Sequence, residues 1–304
     1  MPGIEVGPSA PGERRVRLEL TGAAELAALA GEAEAARVAE VGGQDGALAA
    51  SIDAIGDRGF AIWAREFGSA WIDAGGRTVS CAPAREPAWR WQRFLTGQVL
   101  PFAAVLQGLE VFHASAVVVN GRAVAIVAAS GSGKTALALE LVLRGLPFLD
   151  DDVLVLEAGA DGGLTAHPGA ALANVRRDGS GLADRLCETG IGEVLGSAGH
   201  ETRIVLRRHE AAVPLGAVFF LRRAGSGGRA TVERLSPVDP RLLLAATFNL
   251  ALRGPERLAR QLEVCGRVAE SAAVFRVECP PGIGAAQLAG EVMGAALALE
   301  GTPS

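Results

Sequence analysis

The residues of this chain best suited to chemistry are consecutive: Ala128-Ala129-Ser130-Gly131-Ser132-Gly133-Lys134-Thr135. An apolar run at 122–127 precedes them, and 136–144 carries the leucine and alanine spacing of a helix. A strand, a Gly-rich turn closing in Gly-Lys-Thr, then a helix is the order a phosphate-binding loop requires. Small residues at Ser130, Gly131, Ser132 and Gly133 let successive backbone N–H groups converge on a polyphosphate, and the helix N-terminus adds partial positive charge. Lys134 suits the β- and γ-phosphates of a nucleoside triphosphate, and the Thr135 hydroxyl suits Mg²⁺. Ala128 stands at the motif's first glycine position, which adds a methyl group and removes no N–H.

Composition sharpens this. The chain has 29 Lys plus Arg, and Lys134 is the only lysine among them. A guanidinium is larger, planar and forked, so arginine does not replace a compact ammonium at that position. A plain Gly/Ser-rich connector gives no reason for the exception.

The second cluster is Asp150-Asp151-Asp152, which follows the short apolar segment 146–149. In nucleotide-binding α/β sheets, ligands gather at the carboxyl ends of strands. Carboxylates there hold Mg²⁺ or accept the proton of an attacking hydroxyl. Strand alternation puts Asp150 and Asp152 on one side and Asp151 on the other unless a bend intervenes. The competing reading is a solvated acidic turn, because adjacent carboxylates repel one another.

Phosphoryl transfer also needs positive charge on the transferring group. Arg176, Arg177, Arg203, Arg207 and Arg208 are candidates, with Arg203 favoured because it opens a strand after the Gly-rich segment 179–200, read as a flap. No Asn-Lys-x-Asp or Leu-Ser-Gly-Gly-Gln motif is present, and the apolar strand at 217–221 closes in Arg222-Arg223 rather than an acid. GTPases, transporter ATPases and most ring-forming ATPases are disfavoured. His167, His200 and His209 show no pattern, and Trp89 and Trp91 read as packing residues.

At 304 residues the chain is long enough for one or two domains. A hydrophobic content of 49% with 21% charged residues is that of a soluble globular protein. The net charge of −5 argues against nucleic acid, which needs a basic footprint. Cys81, Cys187, Cys265 and Cys279 lack metal-ligand spacing and read as thiols of a reducing compartment. The N-terminus lacks the basic and apolar regions of a signal peptide. The longest apolar stretch, 99–119, is broken by Gln107, Glu110 and His113. A cytoplasmic protein with neither nucleic-acid nor membrane partner is expected.

The elements that must position these residues are legible in outline. Residues 1–14 read as a loose terminus, 15–20 as an exposed strand, and 23–41 as one or two helices. Short runs at 60–65, 69–73 and 78–81 read as an antiparallel meander, and 88–107 as a helix. Two apolar strands at 111–119 and 122–127 join at Asn120-Gly121, a strong hairpin signal. Strands are expected at 153–156, 203–206, 217–221, 231–235 and 274–277, with helices at 241–252, 255–270 and 284–299.

The run Phe112-His113-Ala114-Ser115-Ala116, Asn120-Gly121, Ser130 to Thr135, Leu139-Glu140-Leu141, Arg144-Gly145 and Asp151-Asp152 resembles the HPr kinase/phosphorylase family. The likeness covers roughly residues 110–156. It implies an α/β fold with a P-loop core of the HPr-kinase/PEP-carboxykinase type over 101–304, preceded by a small N-terminal α+β domain over 1–100. It further implies ATP and Mg²⁺ as cofactors and transfer of the γ-phosphoryl group to a serine-type hydroxyl on a peptide, protein or small metabolite. By resemblance Asp151 is the base, Asp152 a metal-side carboxylate and His113 the histidine beside the catalytic aspartate, with the order within the triplet open by one residue. The Glu-x-Arg-Gly-x-Gly signature tied to phosphorolysis is absent between 157 and 210, and the N-terminal third is unlike the family's regulatory domain. The chain is therefore closer in look to stand-alone HPr-kinase-like proteins, which include serine kinases and enzymes that phosphorylate the terminal serine of lasso precursor peptides. The family often assembles, which leaves a homo-oligomer open. Other readings are a nucleotide-dependent binding or regulatory protein, and a nucleotidase without an acceptor.

Overall fold

The computed structural model describes residues 15–31, 34–84, 88–177, 180–225, 228–248 and 252–301. The terminus 1–14, read as loose, lies outside the described residues. Among those described, the chain divides into two units, 15–109 with 252–257, and 110–248 with 258–301.

The first unit contains β1 (Arg17–Leu20), α1 (Ala23–Ala30), β2 (Ala35–Gly42), β3 (Leu48–Ile55), β4 (Gly59–Ala64), β5 (Gly68–Asp73) and β6 (Thr78–Pro83). These strands form one sheet in the order β1-β6-β5-β4-β3-β2. The meander β4-β5-β6 is antiparallel, as its Gly-containing turns require. A helical stretch follows, α2 (Ala88–Phe94) and α3 (Leu100–Leu106), joined through a π-helical segment at Leu95–Val99. Phe102 packs edge-on against Phe60 at 5.0 Å between ring centroids.

Helix was expected over 23–41, and only its first half is helical. Ala35–Gly42 pairs along its length with β3, with Arg37 directly opposite Asp53 and Arg37 Nε donating to Asp53 Oδ1 at 2.5 Å. Cross-strand pairing has overridden the helical preference of an Ala- and Glu-rich segment.

The second unit runs through β7 (Glu110–Phe112), β8 (Ala114–Val119), β9 (Arg122–Ala128), α4 (Lys134–Leu143), β10 (Phe148–Asp150), β11 (Leu154–Ala158), β12 (Leu164–His167) and β13 (Leu172–Arg176). It continues with α5 (Leu182–Glu188), β14 (Gly192–Ala198), β15 (Glu201–Leu206), β16 (Val213–Arg223), β17 (Thr231–Arg234), α6 (Pro240–Ala246), α7 (Pro255–Ser271), β18 (Ala273–Cys279) and α8 (Ala285–Leu297). The result is a mixed α/β unit around a nine-stranded sheet, with a separate sheet in the order β13-β15-β14. In the large sheet the order β10-β8-β9-β16 places β9 centrally, and β9, β16 and β18 run parallel.

Because helices cover both faces, these strands are almost wholly apolar. Their side chains still alternate. Val117, Val119, Val124 and Ile126 join a core with Leu137 and Leu141 of α4 and Leu288 and Val292 of α8. Ala116, Val118, Ala125 and Val127 face the opposite core with Leu243 of α6 and Val264 and Val268 of α7.

Over its described residues, 180–200, the segment read as a flap holds the short helix α5, anchored by buried Leu182 and Leu186, and the strand β14 paired with β15. One further expectation changes. The helix expected over 241–252 ends at Ala246, because the chain turns to pair with β7: Thr247 bridges Phe112 and the Phe248 N–H donates to the Val111 carbonyl at 2.6 Å. Residues 249–251 of that expectation lie outside the described residues. Among the described residues no helix is long and apolar enough to cross a membrane.

Phe219, on the central strand β16, is fully buried and stacked on Phe275 at 4.6 Å. Phe219→Ala is expected to cost about 3–5 kcal/mol of folding stability. A shift of the chemical-denaturation midpoint with an unchanged slope checks this.

Candidate functional site

Strand direction brings the two sequence clusters together. β10 is antiparallel to β8, and β8 is antiparallel to β9, so β10 and β9 run the same way. Their carboxyl ends, Asp150 to Asp152 and the Gly-rich turn, therefore lie at one end of the sheet, where ligands bind in open α/β sheets. β16 is parallel to β9 and delivers Arg223 to that same end.

The turn from Ala129 to Gly133 leads directly into α4, whose first residues are Lys134 and Thr135. Gly131 and Gly133 have φ of 81° and 101°, a region that β-carbon sterics close to most residues. A Cβ on Gly131 would lie 3.1 Å from Arg176 Nη1, and one on Gly133 would lie 3.1 Å from Arg223 Nη2. Two guanidinium groups thus bracket the turn, Arg176 from the end of β13 and Arg223 from the end of β16. Arg223 Nε donates to the Ser132 carbonyl at 3.1 Å, and its Nη1 reaches Cys279 Sγ at 3.0 Å and the Ile283 carbonyl at 3.2 Å.

The three aspartates occupy three environments. Asp150 closes β10, is buried, and accepts the Asp151 N–H at 2.7 Å. Gly169 packs directly on its carboxyl group, leaving no room for a Cβ. Burial pushes its carboxyl well above the usual carboxylate range, with the neighbouring Asp151 and Asp152 charges adding to the rise and Arg208 opposing it. Asp151 Oδ1 accepts from Ser115 Oγ at 2.6 Å and Thr135 Oγ1 at 2.8 Å, and Oδ2 accepts the Asn174 N–H at 3.2 Å. Burial and then the Asp152 charge raise its pKa, while Lys134 and the two hydroxyls hold it down. Asp152 is ion-paired with Lys134.

A bend does intervene in the expected alternation. β10 ends at Asp150, and Asp152 adopts φ 71°, in the left-handed region that aspartate visits more readily than most residues. His113, the single residue between β7 and β8, holds this bend: its Nδ1 lies 3.0 Å from the Asp152 carbonyl. A carbonyl only accepts, so Nδ1 carries the proton. Burial, and then the Lys134 charge, lower the His113 pKa, which keeps the ring neutral at pH 7.

The structure therefore gathers Lys134, Thr135, Asp151, Asp152 and His113 around the turn. Arg203 has a different position. It is buried on β15, and its Nη1 donates to Asn174 Oδ1 at 2.9 Å. It thereby supports the residue whose backbone N–H holds Asp151. Ser115, Asn174 and Arg223 had no assigned role in the sequence reading. For Ser115 a signal existed, since it is the one polar residue in the strand Ala-Ser-Ala-Val-Val-Val, and a buried polar group in such a strand needs a partner.

Among the described residues, no group of three or more His, Cys, Asp and Glu could hold a metal ion by itself. Thr135 with Asp151 and Asp152 offers a sparse, all-oxygen set. Mg²⁺ suits such a set, because phosphate oxygens and water complete its octahedron.

Asp150 binds its proton more tightly folded than unfolded, so its contribution to stability falls as pH rises above the unfolded value near ~3.9. Asp150→Asn removes that loss. Its melting temperature relative to the unsubstituted protein is expected to move upward steadily from about pH 4 to about pH 8, which parallel thermal melts would check.

No family model matches the sequence, and no curated protein matches it. Among solved structures the chain is similar to the Hpr(Ser) kinase/phosphatase from Coxiella burnetii, over 63% of this chain and 93% of that one, with 16% identity and a TM-score of 0.34. This is a distant structural relationship.

Proposed function

We propose that this chain is an ATP- and Mg²⁺-dependent kinase that moves the γ-phosphoryl group to a hydroxyl acceptor of the serine type, on a peptide, protein or small metabolite. One observation carries the reading. The two residues that open α4, Lys134 and Thr135, are each bonded to a different aspartate at the carboxyl end of β10, Asp152 and Asp151. A loop that only holds nucleotide needs one carboxylate near its metal; a second, beside the lysine, supplies a proton acceptor for a hydroxyl.

In this reading the backbone N–H groups of Ser130 to Thr135 bind the phosphates and Lys134 adds a compact positive charge to them. Arg176 and Arg223, rather than buried Arg203, offer guanidinium groups over the transferring phosphoryl. Thr135 with the neighbouring carboxylate would hold Mg²⁺, which supplies charge neutralisation at the phosphate oxygens. The acceptor oxygen forms a bond to the γ-phosphorus as the bond to the β–γ bridging oxygen breaks. ADP leaves with that electron pair, and the acceptor's proton passes to an aspartate.

Lys134→Ala is expected to lower ATP turnover by at least about a hundredfold, since it removes a compact charge that the forked guanidinium groups of Arg176 and Arg223 do not replace in kind. The function itself is checked by ATP consumption with candidate serine-containing peptides, free serine, threonine and sugars. Stimulation by one acceptor class supports the kinase. Turnover that no acceptor raises marks a nucleotidase, and tight ATP binding with no turnover marks a nucleotide-dependent binding protein.

A further inference from the structure

Two guanidinium groups reach the Gly-rich turn, and their bonding separates them. Arg223 is committed to the protein. Its Nε donates to the Ser132 carbonyl at 3.1 Å, and its Nη1 meets Cys279 Sγ at 3.0 Å and the Ile283 carbonyl at 3.2 Å. These bonds tie the turn to the segment that follows β18. Only Nη2 faces the loop, 3.1 Å from the place of a Cβ on Gly133, the residue before α4. Arg176 is exposed at the end of β13, and among the described residues its side chain has no hydrogen bond or ion pair. Its fork nonetheless lies over the turn, with Nη1, Cζ and Nη2 at 3.1, 3.7 and 3.7 Å from the place of a Cβ on Gly131. The strand that carries it is fixed at the site. β13 is an edge strand of its sheet, and the Asn174 N–H leaves that sheet to bond Asp151 Oδ2 at 3.2 Å, while the Asn174 side chain accepts from Arg203 on β15. Asn174 and Arg176 are two apart, so their side chains share a face of β13. The contact that helps hold Asp151 thus also sets where Arg176 arrives.

We propose that Arg176 is the catalytic arginine, bonded to the γ-phosphoryl group as it moves, and that Arg223 is a positioning residue that holds the loop for the inner phosphates. This rests on the kinase reading above and divides a role that the reading gives to both. Arg223 can spare only Nη2 without leaving protein acceptors unpaired, whereas all five N–H groups of Arg176 are available to a ligand. Arg223 faces the turn beside α4, where the helix N-terminus already concentrates positive charge. Arg176 faces it two residues earlier, where the helix contributes less. In the transfer the acceptor oxygen bonds to the γ-phosphorus, the bond to the bridging oxygen breaks, and its electron pair leaves with ADP. Negative charge is spread over the three oxygens of the moving group. The fork of Arg176 answers it with two parallel charge-assisted hydrogen bonds. The acceptor's proton departs as in the reading above, and Arg176 exchanges none.

The test is equilibrium binding of ATP and of ADP to the full chain in Mg²⁺, for the unsubstituted protein, Arg176→Ala and Arg223→Ala. ATP turnover and a thermal melt without nucleotide are measured beside it. Arg176→Ala is expected to weaken ATP binding about tenfold or more and ADP binding by less than about twofold, while turnover falls about a hundredfold or more. Its melting temperature is expected to stay unchanged, since no bond within the protein is lost. Arg223→Ala is expected to weaken both nucleotides by one similar factor, roughly three- to tenfold, and to melt lower, since it releases Ser132 and Ile283. Selective loss of ATP against ADP is not what general damage to the loop produces. Equal weakening of ATP and ADP by Arg176→Ala overturns the proposal, as does turnover within about threefold of the unsubstituted protein. Selective loss of ATP in Arg223→Ala with its absence in Arg176→Ala overturns it too. If Arg223→Ala fails to fold, the two affinities of Arg176→Ala decide alone. Failure of the kinase reading is distinguishable, because the unsubstituted protein would then bind neither nucleotide.

Discussion

A carboxylate buried beneath a helix start is stable only if donors occupy its oxygens, and meeting that condition at Asp151 engages most of the second unit. Its donors come from β8, from the first turn of α4 and from β13, at sequence separations of 36, 16 and 23 residues. No local element could supply all three. The antiparallel insertion of β8 between β10 and β9 puts Ser115 on the α4 side of the sheet, one step from Val117 in the same alternation. The small sheet β13-β15-β14 then presents the Asn174 N–H, with Arg203 bonded to the Asn174 side chain. A change in the order of these strands would take donors away from the carboxylate.

The positive charges follow a similar logic of reach. Arginine serves wherever a planar fork can bond several acceptors at once, as Arg223 does with Ser132, Cys279 and Ile283. The one lysine opens α4 and pairs with Asp152. An ammonium on a flexible stem is a compact point charge that needs no paired, directional set of bonds, unlike a guanidinium.

What could be read from the sequence was local. The strand, Gly-rich turn and helix at 122–144, the Asn120-Gly121 hairpin and the aspartate cluster are contiguous patterns whose meaning does not depend on distant partners. The contributions of Asn174 and Arg223 depend on which strands become neighbours, and neither residue carries a pattern of its own. The N-terminal error has the same origin: Ala35–Gly42 has a helix-forming composition, and only its pairing with β3 makes it a strand. The bend that was the stated exception to alternation at Asp150, Asp151 and Asp152 has a different origin. A left-handed residue at 152, held through its carbonyl by His113, cannot be inferred from side-chain period.

Three adjacent carboxylates would be simplest to keep on solvent, yet here Asp150 and Asp151 are buried and only Asp152 is substantially exposed. The repulsion is tolerated because each has been given a separate environment. Asp150 meets a backbone N–H and the field of Arg208, Asp151 meets two hydroxyls and an N–H, and Asp152 meets an ammonium. Groups of one chemical type held in unlike surroundings bind protons unequally, and unequal proton affinity is what lets neighbours take different parts in one reaction. A solvated acidic turn would have made the three interchangeable.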